Sequence, residues 1–145
     1  MLMYKLEDLD WNKDEGIQES AIIFFSNEKT LDLNTLIKTS PKCYLSNLVE
    51  VISRKRLDEQ YQSIDGLLYL LQDLSWPGSE KALTLLKNIP KEIISPYLEK
   101  SLDEADKEND DVWIANLKIL IKSHSLTVEN FKNLNLMDVL SKAAW

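Results

Sequence analysis

The sequence predicts an all-α fold in which antiparallel helix pairs stack as a short α-solenoid. Apolar residues recur at helical spacing along the whole chain. Only three glycines and four prolines occur among 145 residues, which disfavours a β-sandwich with many tight turns. No segment alternates polar and apolar residues for long, and no Asn-Gly pair signals a hairpin. A plain helical bundle is the alternative arrangement of the same helices.

A repeated tetrapeptide, Asp-x-x-Trp, supports the pairing of helices. It ends at Trp11, Trp76 and Trp113, and the last two tryptophans lie 37 residues apart, within the period range of two-helix repeats. An acid just before an aromatic suits a helix start, because the carboxylate caps free backbone N–H groups and the ring reaches the buried face. We therefore interpret each unit as a helix cap followed by a core aromatic, in preference to a ligand-facing ring.

The first 62 residues predict three helices. Apolar periodicity gives the first over Lys13–Ser26, and Thr30 is expected to cap a short second one. Ser40-Pro41 is a start signal for the third, with Ser as the cap and Pro at the first helical position. The basic triplet Arg54-Lys55-Arg56 lies near its end, where cations suit the helix dipole.

Residues 63–123 give the clearest pattern of helix pairs. Ser63 is expected to cap a helix that Ser75-Trp76-Pro77 stops, and a second helix follows as far as Ile89. A third covers residues 90–102, and Pro96 should kink it unless the helix starts only at Ser95-Pro96. Residues 103–110 read as a polar loop, whose final acids (Asp110 or Asp111) cap a strongly apolar helix.

The last segment completes the predicted domain. Thr127 is expected to open a short helix and Asn135 a last one that ends at Trp145. We therefore expect one helical domain over residues 1–145. It comprises divergent N-terminal helices (1–62), helix pairs (63–123) and C-terminal helices (124–145).

The segment Leu70-Leu71-Gln72-Asp73-Leu74-Ser75-Trp76-Pro77 resembles the turn of a family of small bacterial proteins with a HEAT-like helical fold. In that family a Leu-x-Asp-x-x-Trp-Pro turn joins two helices, and Ile-x-Pro-x-(Ile/Leu) and Asp-Asp-x-Trp segments follow. Here these are Ile94–Leu98 and Asp110–Trp113. The resemblance spans roughly residues 64–122 and implies a HEAT-like stack. By fold class such proteins are also similar to immunity proteins, which bind and block a cognate bacterial toxin.

The charge distribution suggests where a partner binds. The net charge is −7, and the stretch from residue 97 to residue 111 alone carries −5, with two lysines against seven acids. The acids predict an electrostatic docking face for a basic protein partner, and a solvated polar loop is the alternative. Their alternation resembles a calcium loop, but the required Gly and final Glu are missing, so no metal site is expected. The predicted partner-binding residues are Glu99, Asp103, Glu104, Asp106, Glu108, Asp110 and Asp111.

Direct nucleic-acid binding and catalysis find little support. The triplet Arg54-Lys55-Arg56 is the only basic cluster, whereas gripping a phosphate backbone needs concentrated positive charge. Cys43, the single cysteine, lies in a first helical turn that can lower a thiol pKa, but a small buried hydrophobe is the simpler interpretation. His124, the single histidine, is expected to act at a helix end. No nucleotide-binding or hydrolase motif occurs, so we expect neither an enzyme nor a cofactor.

Two functional hypotheses remain, and both place the protein in the cytoplasm. The apolar run from Ala21 to Phe25 is too short to span a bilayer, early acids interrupt any signal peptide, and a single cysteine excludes an internal disulfide. The first hypothesis is an immunity protein that covers the active site of a basic, nuclease-type toxin. The second is an adaptor that holds a peptide or helix in a groove between its helices.

Overall fold

The computed structural model describes residues 3–145, and the all-α prediction is confirmed: within this range no β-strand occurs. Short 3₁₀ segments cover Leu6–Leu9, Leu70–Gln72 and Val128–Asn130. In the same residues, no helix has the length and apolarity that crossing a lipid bilayer requires. The α-helices are α1 (Glu15–Ser26), α2 (Leu33–Thr39), α3 (Lys42–Ser53), α4 (Leu57–Tyr61), α5 (Ile64–Tyr69), α6 (Ser79–Lys87), α7 (Lys91–Lys107), α8 (Asp111–Ser123) and α9 (Leu136–Leu140).

The helices pack both against neighbours in the chain and against helices further along it. Helix α1 packs on α3, α2 packs on α3 and α5, and α5 contacts α6 and α7. Helix α7 lies along α8, and α9 contacts both of them. The buried apolar side chains form one cluster, and each fully buried leucine or isoleucine contributes about 1.5–3 kcal/mol. Among the largest fully buried side chains are Leu48, Ile52, Ile64, Leu67, Leu86, Leu98 and Leu102.

Acidic or amide side chains begin four of the helices. Asp14 Oδ2 accepts from the N–H of Gly16 at 3.0 Å, which starts α1 close to the predicted position. The prediction that Thr30 caps α2 is wrong, because Asp32 does so and accepts from the Thr35 N–H at 3.1 Å. Asp110 caps α8 and Asn135 caps α9. The last two caps agree with the sequence patterns.

Two predicted serine caps are wrong. Ser40 is the residue that follows α2, and its buried hydroxyl has no hydrogen-bond partner among residues 3–145. Pro41 immediately precedes α3, where its fixed φ of −61° holds the chain extended. Ser63 precedes α5 but makes no capping hydrogen bond. The short helix α4 was missed, because it buries no residue and therefore leaves no apolar stripe in the sequence.

The predicted polar loop over residues 103–110 is wrong over most of its length. Helix α7 continues through Pro96 to Lys107, because Leu102 and Ala105 are buried and extend its apolar stripe. The chain turns only after Lys107, where Asn109 takes a left-handed φ of 55° and the Asp110 N–H donates to the Ala105 carbonyl at 2.9 Å. Much of the acidic stretch is therefore helical and rigidly held.

Only the third Asp-x-x-Trp unit is a helix cap with a core aromatic. Asp110 caps α8, and Trp113 is buried with its indole N–H donating to the Leu68 carbonyl at 3.1 Å. The first unit leaves Trp11 50% exposed, and the second places Trp76, half-buried, in a turn before α6. The cap interpretation is thus wrong for the first two units.

The C-terminal segment contains less helix than predicted. The helix expected at Thr127 is a single 3₁₀ turn, which the Asn130 side chain closes by accepting the Thr127 N–H at 2.8 Å. Helix α9 ends at Leu140, and Trp145 lies beyond it, 60% exposed. Polar contacts hold this end in place, since the Ala144 N–H donates to the Asp111 carbonyl at 3.0 Å.

Candidate protein-binding surfaces

Four of the seven predicted partner-binding acids are engaged within the chain. Both carboxylate oxygens of Glu99 accept backbone N–H groups, from Lys132 at 2.7 Å and from Asn133 at 3.1 Å. This carboxylate therefore anchors the segment after the last 3₁₀ turn to α7. Asp110 is the cap of α8. Glu99 and Asp110 therefore stabilise the fold, although the sequence predicts both of them to bind a partner.

Asp103 and Asp106 are paired with lysines. The Asp103 carboxylate lies 2.8 Å from Lys107 Nζ within α7, and the hydrogen bond raises the pKa of that lysine. Asp106 lies 2.7 Å from Lys142 Nζ, and the pKa of Lys142 is raised for the same reason. Asp106 and Glu99 therefore face the C-terminal segment, and part of the predicted acidic face is already occupied by the protein itself.

The other three acids form what we call the acidic ridge: Glu104, Glu108 and Asp111. All three are exposed, and none has an ion pair among residues 3–145. Glu104 and Glu108 are four residues apart along the last turns of α7, and Asp111 begins α8 after the intervening turn. The same stripe of α7 carries Tyr97, which is 39% exposed. The structure thus leaves the Glu104 and Glu108 carboxylates and an accessible aromatic ring on one side of α7, while Asp111 lies after the turn, near Asp106 and Lys142.

The basic triplet does not form a cationic patch. Arg54 bridges two helices, with its Nη2 2.8 Å from Glu19 on α1 and its Nε 2.8 Å from Glu50 on α3. Arg56 is exposed and lies 3.3 Å from Asp58. The side chains of Arg54, Lys55 and Arg56 point in different directions, and nearby carboxylates neutralise most of their charge.

Lys55 is the unexpected member of that triplet. Its side chain is only 4% exposed, and its ammonium donates to the carbonyls of Ser26 at 3.2 Å and Glu28 at 2.7 Å. The carboxylate of Glu59 lies 3.5 Å away and compensates the buried charge. Lys55 therefore satisfies carbonyls at the end of α1 and fastens them to the end of α3.

The contacts of Cys43 and His124 indicate structural roles for both side chains. Burial raises the pKa of the Cys43 thiol, with the Asp10 carboxylate adding to the effect, which is opposite to the lowering that a helix N-terminus can produce. His124 follows the end of α8, and its Nε2 lies 3.0 Å from the Leu86 carbonyl near the end of α6. The expected role of His124 at a helix end agrees with this contact, although the carbonyl belongs to a neighbouring helix.

A cleft that sequence reasoning missed lies between α3 and the connection into α6. It has a volume of about 570 Å³ and is lined by Ser46, Asn47, Glu50, Leu74, Ser75, Trp76, Pro77, Gly78, Glu80 and Lys81. The connection approaches α3 closely at Gly78, which has a φ of 84°. A Cβ there would lie 2.9 Å from the Val49 side chain and 3.0 Å from the Leu45 carbonyl. The Trp-Pro-Gly sequence was the available signal for this close turn.

The charges around the cleft are unequal. Lys81 and Arg54 hydrogen-bond the Glu50 carboxylate and lower its pKa. Glu80 on the rim is exposed and has no ion pair within the part of the chain that the structure describes. The cleft therefore presents one paired carboxylate and one free carboxylate beside the half-buried ring of Trp76.

Comparison of the chain with protein-family models, curated proteins and solved structures found no significant match. The resemblance to a HEAT-like bacterial family therefore stays a prediction. Within residues 3–145, no three His, Cys, Asp or Glu side chains are grouped so that they could hold a metal ion. A functional proposal for this protein therefore rests on the acidic ridge and on the cleft beside Trp76.

Proposed function

We propose that this protein binds another protein without catalysing a reaction, and that it is an immunity protein which neutralises a basic, nuclease-type bacterial toxin. The acidic ridge carries the proposal, because Glu104, Glu108 and Asp111 are exposed and form no direct ion pair with a lysine or arginine among the described residues. A nuclease that grips phosphates has a cationic cleft, and an acidic inhibitor matches that charge.

The packing of the two helices that carry the acidic ridge suits a protein-binding role. Helices α7 and α8 pack along each other, and Asp110 and the Ala105 carbonyl fix the turn between them. A rigid surface loses little conformational entropy on binding, which favours affinity. Charges at its rim accelerate encounter with an oppositely charged partner, and the acceleration falls as salt rises. We propose a cytoplasmic location and a HEAT-like stack of helix pairs as parts of the same hypothesis.

The test is charge reversal on the ridge, with any toxin-like domain that is encoded next to this gene as the partner. Glu104→Lys, Glu108→Lys and Asp111→Lys are combined, and the control combines the same reversal at the exposed acids Glu7, Glu92 and Glu129. We expect the ridge variant to lose roughly tenfold or more in affinity, with a smaller salt dependence, while the control changes by less than about threefold. Equal losses in both variants, or no loss in either, would contradict ridge docking.

The adaptor hypothesis is favoured by a different observation, the cleft beside Trp76. Binding there would depend on the ring and the turn more than on the ridge. Growth rescue by co-expression with the neighbouring toxin domain separates the two functions. Rescue together with co-purification supports immunity, and failure of both moves the weight to the adaptor.

A further inference from the structure

The cleft between α3 and the α6 connection combines an aromatic ring with carboxylates. Leu74, Trp76 and Pro77 supply its apolar lining and are each half-buried, so their faces are partly accessible. Glu50 lines it from α3 and Glu80 from the start of α6. An aromatic face beside carboxylates is the chemistry that recognises an organic cation, because the ring attracts it and the carboxylates neutralise it.

Hydrogen bonds hold the turn that carries the Trp76 ring. The Asp73 carboxylate accepts from the Ser75 N–H at 2.9 Å and from the Ser75 hydroxyl at 2.6 Å. The buried Ser79 hydroxyl lies 2.9 Å from the Asp73 carbonyl and fixes the other end of the turn. Tyr69 supports the Trp76 ring from one side, with the ring centroids 6.1 Å apart. The site is therefore preformed, which reduces the entropy lost when a ligand binds.

Both oxygens of the Glu50 carboxylate are held by cations of this chain, so a cation from a ligand has to displace Lys81. Arg54 holds one oxygen from within α3 at 2.8 Å, and the second oxygen pairs with Lys81. The Lys81 side chain is 45% exposed on a flexible stem, so a better-shaped cation from a ligand can take its place. Glu80 adds a carboxylate for which the structure shows no internal partner between residues 3 and 145.

We infer that this cleft binds an arginine side chain of a partner protein, with the guanidinium stacked on Trp76 and paired with Glu50 and Glu80. Arginine fits better than lysine, because its planar group stacks on an aromatic ring while its N–H groups pair with carboxylates. The inference does not rest on the acidic ridge, since the two surfaces share no residue. It adds a shape-selective contact to a protein whose ridge selects only by charge.

The test uses N-acetyl-arginine amide as the probe and ¹H–¹⁵N NMR as the readout. The four tryptophans give four indole signals, and Trp76→Phe assigns the relevant one. We expect the Trp76 indole and the backbone amides of residues 74–76 and 78–81 to shift with a dissociation constant on the order of millimolar, as suits so small a ligand. The lysine analogue should bind more weakly, and the uncharged glutamine analogue should cause no saturable shift.

Three variants on the surface sharpen the result without touching the core. Glu80→Gln should weaken arginine binding by about threefold or more, and Lys81→Met should strengthen it by removing the competing cation. Glu129→Gln, an exposed acid outside the cleft, is the matched control and should change nothing. The inference is overturned if the Trp76 indole does not shift, if the glutamine analogue shifts it equally, or if Glu80→Gln behaves like the control. Shifts confined to the acidic ridge would also overturn it while leaving the proposed function standing.

Discussion

The second and third Asp-x-x-Trp units share a tetrapeptide pattern and build different structures. In the third, the Ile114 N–H donates to the Asp110 carbonyl at 3.0 Å, which is the first bond of α8. In the second, the equivalent position is Pro77, which has no N–H to donate to Asp73. Asp73 instead fixes Ser75, and α6 begins only after Gly78. The residue that follows the motif decides whether the carboxylate starts a helix or closes a turn.

The two tryptophans consequently have opposite surroundings. Trp113 enters the core, where its indole N–H finds the Leu68 carbonyl and its burial joins α8 to α5. Trp76 remains half-buried at the rim of the cleft. One motif thus supplies a packing residue and the other a surface that can meet a ligand.

The largest expected effect separates these two rings. Trp113→Ala should cost about 3–5 kcal/mol of unfolding free energy, because it leaves a large cavity and an unpaired Leu68 carbonyl. Trp76→Ala should cost roughly half as much or less, since part of that ring is already in water. Urea denaturation followed by circular dichroism measures both. Equal losses would show that the second ring is as much a core residue as the first.

A smaller effect is expected at the glycine that only the second unit has. Gly78→Ala should destabilise by about 2 kcal/mol, because a positive φ disfavours a Cβ and the added atom meets α3. Gly16→Ala is the matched control, because Gly16 lies in the first turn of α1, where no positive φ is required. Thermal denaturation of both variants measures the difference. A stable Gly78→Ala would mean that the connection can move away from α3.

The caps themselves should differ by less. Asp110→Ala should cost about 1 kcal/mol, since it removes the acceptor for the Trp113 N–H in a 13-residue helix. Asp73→Ala, which affects only a turn, should cost about half that. Chemical denaturation gives the free energy of unfolding of both variants, provided that its dependence on denaturant concentration has the same slope in each. A larger loss at Asp73 would indicate that the turn supports more of the fold than its contacts suggest.

The smallest effect concerns pH. Hydrogen bonds from the Ser75 hydroxyl and N–H lower the pKa of Asp73 below its ordinary value of 3.8. A carboxyl whose pKa is lower in the folded state stabilises the fold above its unfolded pKa, and that stability disappears as the pH falls through the folded pKa. Asp73→Asn should therefore lose less stability than the wild type between about pH 4 and pH 2. Thermal midpoints at the two pH values test this, and identical changes would contradict it.

Apolar periodicity gave the helices with wide buried stripes, and the third Asp-x-x-Trp unit gave the start of α8. Apolar periodicity could not predict α4, because this helix buries no residue. It also could not predict the true length of α7, because the acidic residues on either side of the buried Ala105 suggest a loop. A run of charged letters looks like a loop, although in a helix each letter points in a different direction. That is why Glu99 and Asp106 face the C-terminal segment while Glu104 lies exposed.

The candidate surfaces show the same limit more strongly. Nothing local in the sequence joins Glu50 to Trp76, because their shared cleft depends on how closely the turn at Gly78 approaches α3. The acidic ridge was contained in the predicted set. Asp103 and Asp110 have partners within four residues, whereas Glu99 and Asp106 could be separated from the ridge only through distant partners. Of these, Lys142 lies 36 residues from Asp106.

Lys55 gives the protein a built-in reporter of its own integrity. Amine-directed acylating reagents need an accessible, unprotonated amine, and this ammonium is enclosed and holds two carbonyls. Lysines on the surface will be labelled at once, whereas Lys55 will be labelled only when the end of α1 separates from α3. Cleavage after glutamate releases a peptide that lies between Glu50 and Glu59, and mass spectrometry of this peptide can therefore time the opening of the N-terminal helices without any mutation.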